Sequence, residues 1–213
     1  RRSRPAPHSR LRAAGSMKFS ALLVGLLLLS FVLQEFLPVF DWAYGSRLML
    51  VHAVFFAAAV AVPFPAMLGL ALLTGLLWDA RYHIPIYPDE ATFGTLMQSE
   101  IPFGFTIFLF GITGALIQGV RPLFRRGRWE LPVFMIGLGT ALCLLLEYLV
   151  ISFQRGGLEI SVELWSKMLM SALFSSLVSP FLLLLLSRVA DRTRYRIRSE
   201  GLKRRHTYDG DTL

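Results

Sequence analysis

Long apolar segments alternate with short polar ones along the chain, and this pattern predicts the architecture. Six segments with few charges lie at about residues 18–38, 46–62, 66–80, 103–120, 131–153 and 165–188. A helix of about 20 apolar residues crosses the roughly 30 Å hydrocarbon core of a bilayer. The pattern therefore predicts an all-α integral membrane protein whose membrane domain, residues 17–188, is a bundle of six transmembrane helices.

Prolines separate or interrupt these segments. Pro38 ends the first segment, and Pro63 with Pro65 breaks the chain between the second and third. Pro180 lies inside the sixth segment and predicts a kink there. The first segment is similar to a signal peptide, but no cleavage site of small residues follows it, so we expect a retained helix.

The charges are distributed unevenly around the segments, and their distribution predicts an orientation. Of the 22 Lys and Arg residues, six lie up to Lys18, four lie in residues 121–130, and eight lie from Arg188 onward. Cytoplasmic flanks of membrane helices are enriched in Lys and Arg. We therefore expect both termini in the cytoplasm and the 81–102 loop on the opposite side. Because the basic clusters flank apolar segments, nucleic-acid binding is not expected despite the net charge of +8.

The two ends of the chain are basic and polar. Residues 1–16 contain two prolines and no apolar periodicity, so they are predicted to form a disordered arm, with Met17 as the natural start. Residues 189–213 form a basic tail with Arg at nearly every second position up to Arg198. Such spacing is typical of a helix end that emerges among anionic headgroups.

Two carboxylates in or near the apolar segments need an explanation, because a charge at membrane depth is costly. Asp79 ends the third segment, and two interpretations stay open for it. It is either a solvated carboxylate paired with Arg81, or a group that fixes the outer loop or receives a partner. Glu147 lies deeper, and we expect an interhelical hydrogen bond from one of its candidate partners, Tyr148, Ser152 or Gln118.

Small residues recur at helical spacing in three of the segments. They predict faces on which neighbouring helices approach closely. The glycines concerned are Gly69 and Gly75 in the third segment, Gly104, Gly111, Gly114 and Gly119 in the fourth, and Gly137 and Gly139 in the fifth.

Motifs for catalysis, cofactors and metals do not occur in the sequence. The single cysteine, Cys143, permits no disulfide framework, and His52 is the one histidine inside an apolar segment. HExxH, GxSxG, GxGxxG and phosphate-loop patterns are missing. We therefore expect no enzymatic activity, no cofactor and no metal.

Two stretches together resemble a known family. Thr74 to Asp79 loosely match the pattern G-x-x-x-G-L-x-x-D, and after a loop a helix rich in small residues begins at Phe103-Gly104 and runs to Gly119. In these features, and over roughly residues 18–188, the chain resembles the bacterial rod shape-determining MreD family. The carboxylates, the small-residue faces and this resemblance together give eight candidate structural or partner-contact residues: Gly75, Trp78, Asp79, Arg81, Gly104, Gly111, Gly114 and Glu147.

The resemblance implies a function and also suggests the main alternative to that function. It implies a non-enzymatic scaffold of cell-wall elongation in the bacterial inner membrane. The implied partners are the bitopic protein MreC and, indirectly, the actin-like MreB and the enzymes that make peptidoglycan. The family fold is similar to the S-component of energy-coupling factor transporters. A six-span subunit that captures a small vitamin therefore stays open as the alternative.

Overall fold

The structure is a computed structural model that describes residues 7–83, 102–120, 130–155, 157 and 161–193. Within these ranges the chain is all-α and contains six α-helices. They are α1 (Pro7–Phe36), α2 (Leu50–Ala61), α3 (Phe64–His83), α4 (Phe105–Val120), α5 (Glu130–Arg155) and α6 (Val162–Arg192). Four predicted features lie outside the described residues in whole or in part, namely residues 1–6 of the arm, 84–101 of the polar loop, 121–129 of the basic loop and 194–213 of the tail.

Among the described residues, three helices are long and apolar enough to cross a membrane. They are Met17–Phe36 within α1, Glu130–Gln154 within α5, and Val162–Arg192, which is α6. The helices α2 and α4 are apolar but shorter, with 12 and 16 residues. The structure therefore confirms an all-α protein with three helices that could cross a membrane.

The helix limits differ from the predicted segments at two places near the N-terminus. α1 begins at Pro7, so helical backbone extends into the segment expected to be a disordered arm. α2 begins at Leu50 rather than at residue 46, because the preceding residues form a small hairpin. Its strands β1 (Val39–Phe40) and β2 (Ser46–Arg47) pair antiparallel around a 3₁₀ turn, Asp41–Ala43.

Helix α2 is the centre of the bundle. Ten of its 12 residues are buried, as expected for a helix that is apolar on every side. It contacts all five other helices. Those five form a closed ring around it in the order α1, α3, α4, α5 and α6, with α6 returning to α1.

Amide side chains from the surrounding ring cap both ends of α2. At its start, Gln34 Oε1 accepts from Leu50 N–H at 2.7 Å, while Gln34 Nε2 donates to Leu48 O at 2.7 Å. At its end, Gln118 Nε2 donates to Ala59 O and to Val62 O at 2.9 Å each. Helix ends leave unpaired backbone groups, and in hydrocarbon these must be satisfied within the protein. The caps therefore permit a short helix to end inside the bundle.

The glycine faces predicted from the sequence are only partly used for packing. A Cβ on Gly75 would lie 2.5 Å from Ile107 Cα, so α3 and α4 meet there backbone to backbone. A Cβ on Gly114 would lie 2.7 Å from Met67 Sδ. In contrast, nothing lies within 4 Å of such an atom on Gly69 or Gly111. On α5, a Cβ on Gly137 would lie 2.8 Å from Ser176 Cβ, and one on Gly139 would lie 2.7 Å from Ile117 Cδ1. Close packing in the described residues therefore depends on Gly75, Gly114, Gly137 and Gly139 rather than on every glycine.

The contrast between two glycines of α3 gives a matched pair of variants. Gly69→Ala should be neutral or stabilising by up to about 1 kcal/mol, because alanine favours helix and meets nothing there. Gly75→Ala should destabilise by about 1–3 kcal/mol, because the new methyl overlaps the α4 backbone. The one cysteine, Cys143, is fully buried, so its alkylation by a thiol-reactive dye during heating reports unfolding. Equal unfolding temperatures for the two variants would contradict the close contact.

Candidate functional site

The Asp79 carboxylate joins the last turns of α3 to the first residues of α4. Asp79 is 2% exposed, so it is a buried group rather than a solvated one. Its Oδ2 accepts from Gly104 N–H at 2.6 Å, and its Oδ1 lies 2.6 Å from Thr106 Oγ1. Gly104 has a φ of +94°, which favours glycine, and it directly precedes α4. Asp79 therefore acts as an N-terminal cap supplied by a neighbouring helix, where a negative charge also complements the helix dipole.

Thr106 connects this cap to the close approach at Gly75. Its hydroxyl lies 2.9 Å from Gly75 O and 2.6 Å from Asp79 Oδ1. Gly75 and Asp79 are four residues apart, so they lie on one face of α3. The missing side chain at Gly75 lets α4 come near enough for Thr106 to reach both oxygen atoms. These three residues therefore form one interhelical contact.

Trp78 links α3 to three other helices. Its ring makes edge-on contacts with His52 of α2 at 4.9 Å and with Phe31 of α1 at 6.2 Å between centroids. Its indole N–H donates to the Glu147 carboxylate of α5. Asp79 is also close enough to interact electrostatically with Glu147. The two carboxylates that the sequence singles out therefore belong to one cluster.

Arg81 lies at the edge of this cluster and pairs with α1. Its Nε lies 2.7 Å from Glu35 Oε1, and its Nη2 donates to Glu35 Oε2 at 2.7 Å, so the pair is bidentate. The Arg81 guanidinium also lies 5.9 Å from the centre of the Trp78 ring. The two charged side chains are 25% and 55% exposed. The salt bridge is therefore the exposed edge of a set of polar side chains that is otherwise buried.

We call this group the Asp79 cluster, and six of the eight residues marked by the sequence belong to it. Its members are Gly75, Trp78, Asp79, Arg81, Gly104, Thr106 and Glu147. Gly111 and Gly114 lie further along α4. Glu147 accepts from Trp78, which was not among its suggested partners, and Gln118 instead caps α2. Thr106 was not among those eight residues; its small size and its place two residues after Gly104 were the signals for it.

His52, the one histidine inside an apolar segment, is a packing contact in the core of the bundle. It is 1% exposed and its ring lies between Trp78 at 4.9 Å and Phe110 at 5.0 Å. Its Nδ1 has no hydrogen-bond partner among the described residues. Within the same part of the chain, no group of three or more His, Cys, Asp or Glu side chains could hold a metal ion. His52 is thus an aromatic packing partner of Trp78 in the described structure.

A groove opens between α4 and α5 at the same end of the bundle as the Asp79 cluster. Its volume is about 860 Å³, and its walls are almost entirely apolar. Phe105, Phe108 and Ile112 line it from α4, and Leu146, Leu149 and Phe153 line it from α5. Ser152, Gln154 and Gly157 supply its few polar atoms. The groove therefore offers a surface for apolar groups rather than a polar binding site.

The fold and this cluster define a multi-pass helical membrane protein. Comparisons with known proteins assign it to no family: no family model, no curated protein and no solved structure matches the chain. The geometry of the described residues is therefore the starting point for any functional argument.

Removal of the Asp79 side chain should destabilise the bundle far more than removal of its charged neighbour Glu35. Asp79→Ala leaves the Gly104 N–H and the Thr106 hydroxyl without their acceptor, which should cost about 1–3 kcal/mol. Glu35→Ala removes a half-exposed ion pair and should cost about 0–1 kcal/mol. Thermal protection of Cys143 again provides the measurement. Similar small losses of stability in both variants would show that the buried carboxylate does not join α3 to α4.

Proposed function

We propose that this protein is a non-enzymatic membrane scaffold of the peptidoglycan elongation machinery that helps to determine rod cell shape. It would work with an MreC-like bitopic protein and, indirectly, with an MreB-like actin homologue and the wall-synthesis enzymes. One observation carries the proposal. The two stretches that resemble the MreD family, Thr74–Asp79 and Phe103–Gly119, are the stretches that Asp79 joins in the fold.

We further propose six membrane crossings, with both termini in the cytoplasm of a bacterium and the protein in its inner membrane. Interhelical contacts support the six crossings. The C-terminal ends of α1, α3 and α5 meet the N-terminal ends of α2 and α4 at the Asp79 end of the bundle. Successive helices therefore run in opposite directions, as repeated crossing requires. Val120 and Arg192, the last residues of α4 and α6, lie at the other end and lead into two of the Lys- and Arg-rich segments. Under the positive-inside rule, that end would face the cytoplasm.

The partner surface of this scaffold would lie at the Asp79 end, which the orientation makes periplasmic. Trp42 and Tyr44 in the hairpin are 77% and 57% exposed. The Arg81–Glu35 pair offers exposed charges at the same end. Exposed aromatic rings beside charges are typical of protein interfaces. We therefore assign contact with the MreC-like protein to this surface, and an internal structural role to the buried Asp79.

The alternative is a substrate-binding S-component of a vitamin transporter, and the described residues do not favour it. A small-molecule site needs a few convergent polar groups in a concave pocket. The groove between α4 and α5 is apolar and opens sideways. The hairpin packs closely on α6, with the Phe40 and Phe174 rings 5.1 Å apart and Arg47 N–H donating to Ser171 Oγ at 3.2 Å. Similarity of fold alone does not carry a function.

Depletion of the protein in its native bacterium separates these two functions. The scaffold proposal predicts that rods become round and that a plasmid copy of the wild-type gene restores them. Normal shape together with a defect in vitamin uptake would overturn the proposal and establish the alternative.

The partner surface can be tested separately by a variant that spares the backbone. Tyr44 has a φ of +57°, a conformation that asparagine adopts readily. Tyr44→Asn should therefore keep the hairpin turn while it removes the exposed ring. We expect at least a several-fold lower recovery of the MreC-like protein in co-purification, at unchanged abundance and Cys143 protection. Full recovery would exclude the hairpin from the interface.

A further inference from the structure

We propose that the groove between α4 and α5 is a binding site for the acyl chains of a phospholipid from the membrane leaflet on the Asp79 side. The walls carry large apolar side chains that the described part of the chain leaves exposed. Phe108 is 70% exposed, Ile112 57% and Phe153 87%. Side chains beside a void lack dispersion contacts on that side, and hydrocarbon chains that enter the void supply those contacts.

The length of the groove favours a lipid as its occupant over a helix of a partner protein. Its α4 wall extends from Phe105 to Ile112, and its α5 wall from Leu146 to Phe153. Eight helical residues rise by about 12 Å, at roughly 1.5 Å per residue. The hydrocarbon of one leaflet is about half of the roughly 30 Å core. The groove is therefore about one leaflet deep, whereas a crossing helix would need a surface through the whole membrane.

The polarity along the groove matches that of an amphiphile. The walls between Phe105 and Ile112 and between Leu146 and Phe153 are apolar except at Ser152. Gln154 and Gly157 line the groove at the end where α5 terminates, near the membrane surface. An acyl chain can lie along the walls while the headgroup meets the Gln154 amide. A wholly apolar ligand would leave these polar groups without a role.

The site is adjacent to the Asp79 cluster without being part of it. Leu146 directly precedes Glu147 on α5, and Phe105 directly precedes Thr106 on α4. Neighbouring residues on a helix point in different directions, so the lipid would lie on the outer side of the α4–α5 contact. The bound chain would therefore contact α4 and α5 on the outer surface of the bundle, while the Asp79 cluster contacts them on the inner side.

Native mass spectrometry of protein extracted from nanodiscs of phosphatidylethanolamine and phosphatidylglycerol tests the proposal. The wild-type protein should retain one phospholipid under detergent conditions that remove its other bound lipids. Leu149→Trp, which fills the groove, should lose at least most of that retained lipid. Leu177→Trp on α6 is the matched control, because Leu177 is 76% exposed and lies away from the groove. If Leu149→Trp fails to protect Cys143, Ile112→Trp fills the same space from α4.

Photo-crosslinking identifies what occupies the groove in the membrane. With p-benzoylphenylalanine in place of Phe108, we expect a phospholipid adduct that the groove-filling variant reduces several-fold. In place of Phe181, a 77% exposed residue of α6, the adduct should not respond to that variant. Equal lipid retention in wild type and in the groove-filling variant would overturn the proposal. So would a crosslink from position 108 to another protein or to residues 84–101 of the same chain.

Discussion

The buried carboxylate of Asp79 is the interaction on which the arrangement of the bundle depends. A carboxylate in an apolar interior is unfavourable unless it receives hydrogen bonds, and here the N-terminus of α4 supplies them through Gly104 and Thr106. This requirement fixes the start of α4 against the end of α3. The same contact places Gly75 against Ile107, and the adjacent Trp78 reaches Glu147 of α5. One polar group thus sets the order of three neighbouring helices in the ring.

A second constraint concerns α2, the short central helix. Its ends contact the surrounding ring, and backbone groups left unpaired in hydrocarbon must be satisfied within the protein. Gln34 from α1 and Gln118 from α4 satisfy several of them. The ring therefore covers the sides of α2 with apolar side chains and closes its ends with amides. The outer margin of the ring, by contrast, carries exposed apolar side chains, among them those that line the α4–α5 groove.

Particular residues show how far the sequence could predict this structure. The apolar segments predicted the helical class, and the cost of a charge at membrane depth singled out Asp79 and Glu147. The start of α2 was misplaced because Leu48 and Met49 extend the apolar run beyond the helix. The Trp78–Glu147 contact depends on which helices are neighbours, which periodicity does not encode. Gly75 and Gly69 look alike in sequence, and only the helix facing each one distinguishes them.

A double-mutant cycle between Asp79 and Thr106 tests the central claim most directly. The single variants Asp79→Ala and Thr106→Val and their combination would be compared by free energy of unfolding in one lipid or detergent, with Cys143 as the reporter. If the two side chains form the contact that joins α3 to α4, their coupling energy should be about 0.5–3 kcal/mol, so the double variant loses less than the sum of the single losses. Strict additivity would contradict the account.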